Sequence, residues 1–114
     1  LHISFSTEGD FSTIDENRAL ITYRIIQETI QNTLKHAKAK RLDVSMISEN
    51  NELAITIEDD GIGFGSNIVV EKTSSGLRNI QSRVEYLNGT MEITSQPGKG
   101  TVSVFYIPTQ NKTN

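Results

Sequence analysis

The spacing of apolar positions changes along this chain, and each change marks an element. Leu1-His2-Ile3-Ser4-Phe5-Ser6 alternates apolar and polar residues, the pattern of a short strand. Glu8-Gly9-Asp10 is turn material. Thr13-Ile14-Asp15-Glu16 has capping-box spacing and predicts the start of a helix that runs to about Ala37. At about 100° per residue, Ala19, Tyr23, Ile26, Ile30, Leu34 and Ala37 form one apolar stripe, expected to be core. Ile21, Ile25, Glu28, Asn32 and His36 lie on the other side, with Lys35 at its edge. That side begins apolar and ends polar, as expected of a helix that walls a pocket.

Leu42 to Ile47 reads as a strand, Glu49-Asn50-Asn51-Glu52 as a hairpin turn, and Leu53 to Glu58 as the partner strand. Leu53, Ile55 and Ile57 share one face. Gly61 to Ser75 carries Gly, Ser, Asn and Lys with little periodicity and reads as a mobile loop. Gly76-Leu77 opens a second helix, with Leu77, Ile80, Val84 and Leu87 at core spacing, and Asn88-Gly89 stops it with a left-handed cap. Met91 to Ser95 and Thr101 to Ile107 are strands joined by Gln96-Pro97-Gly98-Lys99-Gly100. The expected organisation is one domain over 1–110 and a polar tail over 111–114.

Composition narrows the picture. At 114 residues, 35% hydrophobic and 22% charged, the chain has the makeup of an ordinary soluble domain able to bury a core. A net charge of −3 argues against a nucleic-acid binder. With no cysteine, disulfides and thiolate metal sites are excluded, which fits a reducing compartment such as the cytoplasm. No apolar run reaches the length of a membrane span, so no direct membrane contact is expected of this piece. A first residue of Leu rather than Met suggests a piece of a longer protein.

Two polar groups carry candidate chemistry. Glu28 and Asn32 are one turn apart and project to the same side. Magnesium on ATP phosphates keeps several waters and takes few protein oxygens, so the Asn32 amide oxygen can suffice. Glu28 could orient or deprotonate a nucleophile, and Lys35 could place a positive charge on the phosphates. Alone, such a set is more often a solvated helix face. Asp59 stands where a buried strand ends, before Asp60-Gly61-Ile62-Gly63. An ionised acid there accepts the exocyclic amine of adenine, whereas guanine presents an oxygen at that place. Gly61 and Gly63 let the backbone approach a base. Alone, Asp-x-Gly-x-Gly is more often a tight polar turn. A dinucleotide-binding loop would run straight into a helix, a calcium loop would need a closing Glu, and neither pattern is met. Thr101, after Gly98-Lys99-Gly100, could support the base, and Gly76-Leu77 could aim a helix N-terminus at phosphate. His36 reads as a positioning or solvated residue rather than a nucleophile, and His2 as a strand residue.

Order and spacing say more than any single signal. Gln27-Glu28-x-x-x-Asn32-x-x-Lys35-His36-Ala37 resembles the N-box of sensor histidine kinases. Asp59-x-Gly61-x-Gly63 resembles their G1 box, Gly76-Leu77 the G2 box, and Gly98-x-Gly100-Thr101 the last glycine box. The match runs from the first strand to Pro108. The chain thus resembles the ATP-binding catalytic domain of a two-component sensor kinase, in the superfamily of DNA gyrase, MutL and the heat-shock chaperone ATPases. It looks most like the branch that serves helix-turn-helix response regulators.

The resemblance implies an α+β fold, a two-layer α/β sandwich (Bergerat fold) with a mixed, mostly antiparallel sheet and helices on one face. It implies that Asn32 holds magnesium, Lys35 touches phosphate, Asp59 reads adenine with Thr101 in support, and Glu28 assists an incoming imidazole. Gly61, Gly63, Gly76 and Leu77 would complete the nucleotide site, and a mobile lid would cover about 64–75. The usual G2 pattern Gly-x-Gly-Leu is here Ser74-Ser75-Gly76-Leu77, one glycine short. No His has the acidic neighbour of a phosphoacceptor, so the acceptor is expected on a dimerisation helix outside this chain, with a response regulator as the onward partner. A serine kinase of the anti-sigma-factor type, or a non-catalytic module gated by nucleotide, would use the same fold.

Overall fold

The computed structural model describes residues 1–36, 38–62 and 77–110. Five strands form one mixed sheet in the order β1-β2-β3-β5-β4: β1 (His2–Gly9), β2 (Arg41–Glu49), β3 (Glu52–Asp59), β4 (Thr90–Gln96) and β5 (Gly100–Pro108). Only β1 and β2 run parallel among these pairs; β2–β3, β3–β5 and β4–β5 are antiparallel. The long helix α1 (Glu16–His36) crosses between β1 and β2, and α2 is helical over 77–86. The expected α+β sandwich is therefore present.

The alternation in β3 buries Leu53, Ile55, Ile57 and finally Asp59, all on the face toward the helices. Register places Phe105 beside Ile55 and Ile107 beside Leu53 on β5, and Val44 beside Ile57 on β2. Ile25 and Ile26 of α1 and Ile80, Val84 and Leu87 from the second helical segment and its end close over these residues. The β2–β3 turn is tight because Asn50 and Asn51 both take positive φ, +54° and +62°, the backbone of a two-residue hairpin. Asn88 takes φ +59° and Gly89 N–H donates to Val84 O at 2.9 Å, so the expected left-handed stop of α2 is in place. Among the described residues no helix is long and apolar enough to cross a membrane.

Two expectations about α1 need correction. Its cap is Asp15, whose Oδ2 accepts Arg18 N–H at 3.3 Å, rather than Thr13. Its buried face is also turned from the expected stripe. Tyr23 is 60% exposed and Leu34 54%, and Ala19 is exposed, while Arg18, Thr22, Ile25, Ile26, Thr29 and Thr33 are buried. Ala37 lies outside the described residues.

The physical reason lies in the threonines and in Arg18. Thr29 Oγ1 donates to Ile25 O at 2.8 Å and Thr33 Oγ1 to Thr29 O at 3.1 Å. Each hydroxyl is satisfied within the helix, which removes the penalty of about 1–3 kcal/mol for burying it unpaired and lets the methyl pack inward. Arg18 is 2% exposed and spans to the far end of the domain, with Nε donating to Pro108 O at 2.9 Å and Nη2 donating to Leu87 O. A groove of about 490 Å³ opens beside this face, with the exposed Tyr23, the partly buried Ile30 and an edge of the buried Ile26 on α1 and Phe5 and Met46 on the sheet.

Candidate functional site

The polar end of the helix-covered sheet face lies where β3 meets β5. Asp59 is 6% exposed and pairs in register with Thr101 on β5 and Leu42 on β2. Its Oδ1 accepts Gly61 N–H at 2.8 Å, a local turn that folds the chain after β3 back over the acid. Burial pushes the Asp59 carboxyl above its usual pKa. The backbone N–H groups of Gly61 and Thr101 pull it down, and the neighbouring Asp60 and Glu58 charges push it up. Asp60, one residue on, behaves oppositely. Its Oδ1 accepts Lys40 and Arg41 N–H, both at 2.9 Å, and these bonds hold its carboxyl below the usual value. Asp60 thus ties the loop after β3 to the start of β2, while Asp59 is buried at the end of β3.

Gly100 makes the close approach possible. It sits at φ +89°, and a Cβ there would lie 2.0 Å from Asp59 O. Next to it, Thr101 is buried, and its Oγ1 lies 3.0 Å from Ser95 Oγ on β4. Gly98 N–H donates to Ile62 O, so the β4–β5 turn is tied to the glycine loop after β3.

On α1, Glu28 and Asn32 lie on the flank beside Ile25, away from the Tyr23–Ile30 groove. Asn32 is partly buried, and among the described residues its amide makes no hydrogen bond. Lys35 is exposed at the end of the same flank. Glu28 is not solvated as a lone surface acid: its Oε2 accepts a bond from Arg83 Nη1 on α2, and both side chains are partly buried. The sequence reading missed Arg83, because 55 residues separate the partners and no local spacing links them. It also missed Ser95 and the backward reach of Asp60.

Leu77 stands in the first described turn of α2 and is partly buried. Gly63, Gly76, the expected lid over 64–75 and the His36 side chain lie outside the described residues. Among the described residues no cluster of three or more His, Cys, Asp or Glu side chains is placed to hold a metal. A protein oxygen such as that of Asn32 beside phosphate oxygens would be a donor set suited to magnesium.

Similar proteins carry the same architecture. A family model described as histidine kinase-, DNA gyrase B-, and HSP90-like ATPase matches residues 17–111. The oxygen sensor histidine kinase NreB of Staphylococcus carnosus is 30% identical over 108 residues, which is 95% of this chain and 31% of that protein. The sensor histidine kinase ComP of Bacillus subtilis is 37% identical over 100 residues, 87% of this chain and 13% of that protein. The chain thus spans less than a third of the length of either relative. The histidine kinase domain of the blue-light activated kinase EL346 from Erythrobacter litoralis superposes with a TM-score of 0.72 at 24% identity. That match covers 94% of this chain and 55% of that one, and shows the shared fold.

Proposed function

This chain belongs to the family of histidine kinase-, DNA gyrase B- and HSP90-like ATPases, as the ATP-binding catalytic domain of a sensor histidine kinase; from that premise we propose that it presents the γ-phosphoryl group of magnesium-bound ATP to a His on a dimerisation helix outside these residues. A response regulator Asp then receives the phosphoryl group, and the reaction runs in the cytoplasm. The observation that carries this reading is Asp59, a buried acid at the end of β3 with Gly61, Gly100 and Thr101 packed around it.

Each residue has a distinct task. Asp59, ionised, accepts the exocyclic amine of adenine, and Thr101 supports that contact with its hydroxyl. Gly61 lets the backbone lie against the base edge. Asn32 would hold magnesium through its amide oxygen, and the ion would neutralise charge on the phosphates. Lys35 adds a second positive charge at the phosphate end. The first described turn of α2, from Leu77, turns backbone N–H groups toward phosphate. Glu28 orients the incoming imidazole. Positioning and charge stabilisation account for the chemistry, as phosphoryl transfer requires little covalent work from protein.

Thermal unfolding of the chain with a non-hydrolysable ATP analogue, with and without magnesium, tests the reading. A rise in Tm that needs magnesium, and a GTP analogue weaker by about tenfold or more, are expected. No shift at saturating analogue with magnesium overturns it.

A further inference from the structure

The Arg83–Glu28 ion pair ties the two helices together at the edge of the site. Among the described residues the other ion pair, Arg41–Asp43, is an exposed contact within β2. The Arg83 bond joins elements that are separated in the chain by the whole β2–β3 hairpin and the glycine loop. It exists only because α1 and α2 are docked, and it acts on the carboxylate one turn before Asn32.

Its chemistry is specific. A guanidinium is a planar fork that stays charged at any working pH. By donating to Glu28 Oε2, it restrains the orientation of the carboxylate. Among the described residues Glu28 Oε1 has no hydrogen-bond partner. Arg83 also lines an open cleft with Ile21, Ser82 and Tyr86, and both side chains of the pair keep partial exposure to solvent.

We propose that Arg83 is a positioning residue for phosphoryl transfer: it holds Glu28 so that the second carboxylate oxygen meets the N–H of the incoming acceptor imidazole. This rests on the kinase reading above and adds to it the residue that sets the geometry of Glu28. Arg83 touches neither nucleotide nor acceptor in this scheme. Its loss therefore acts on the transfer step and spares nucleotide binding.

The test measures transfer from magnesium-ATP in the polypeptide that joins this domain to its acceptor helix, alongside nucleotide affinity by calorimetry and Tm without ligand. For Arg83→Gln, kcat for transfer falls about tenfold or more while Kd for magnesium-ATP stays within about twofold. Arg83→Lys, a point charge rather than a fork, recovers part of the loss. Should Arg83→Gln fail to fold, the exchanged pair Glu28→Arg with Arg83→Glu keeps the ionic tie but moves the acid to α2. That variant is expected to bind nucleotide and to be deficient in transfer. Wild-type kcat in Arg83→Gln or in the exchanged pair overturns the proposal. Absence of magnesium-ATP binding by the unmodified protein defeats the kinase reading itself, and calorimetry on that protein separates the two failures.

Discussion

The backbone carbonyl of Asp59 occupies the place where a side chain on Gly100 would begin: a Cβ at Gly100 would sit 2.0 Å from it. Residue 100 also adopts φ +89°, where an L side chain is strained. Gly100→Ala therefore loses more than about 1 kcal/mol from backbone strain alone, before the collision is counted. Urea unfolding will show a lower midpoint at unchanged slope. The displaced Asp59 will weaken ATP analogue binding in the same variant.

The role proposed for Asp59 sets stability against recognition. Burial raises its pKa in the folded chain above the usual carboxylate value. A group raised on folding favours the folded state while protonated. That contribution is complete below the unfolded pKa and is lost as pH rises through the folded one. Asp59→Asn removes the titration yet keeps an oxygen for the Gly61 N–H. The nucleotide-free variant is thus expected to be more stable than wild type at neutral pH, with the difference vanishing in acid. Unfolding free energies from about pH 4 to about pH 8 will read this directly. ATP affinity falls about tenfold or more in the same variant, because an amide N–H₂ can then face the adenine amine.

Asn32→Ala separates metal from base. Asn32 is partly buried with no hydrogen bond among the described residues, so its removal leaves no polar partner stranded there. Tm without ligand should stay within a few degrees of wild type. Calorimetry should show weaker ATP binding with magnesium, and little change when the metal is chelated. Equal binding with magnesium present would remove Asn32 from the metal site.

Arg18 carries structural weight at the other end of α1. Arg18→Met keeps apolar bulk but leaves the Pro108 and Leu87 carbonyls without their donor. One buried and one partly buried acceptor left without that donor cost about 2–4 kcal/mol together. Chemical denaturation should show that loss, with nucleotide affinity preserved in the folded fraction, since Arg18 lies well over two turns before Glu28.

Much of this was legible in the sequence because strands and turns write local patterns. Alternation placed β2 and β3. Asn50-Asn51 marked the hairpin, and Asn88-Gly89 marked the end of α2. Asp59 was readable because an acid that follows Leu53, Ile55 and Ile57 at even spacing must share their buried face. The buried face of α1 was not legible by the same logic. Hydrophobic spacing treats Thr as polar, yet Thr29 and Thr33 hide their hydroxyls in the helix backbone, and Arg18 is buried by partners about 70 to 90 residues away. Glu28 was recognised but its partner was not. An ion pair between helices depends on how they dock, and docking leaves no spacing in the chain.

The order of strands has a further consequence for how the domain breathes. Asp59 lies on the central strand and Thr101 on the one beside it, whereas β1 is held on one side only. Amide hydrogen exchange should therefore slow from the β1 margin inward, with β3 and β5 among the last to open. Fraying at the margin leaves the Asp59–Thr101 pairing intact, so under the role proposed for Asp59 discrimination between nucleotides outlasts the partial opening of the fold.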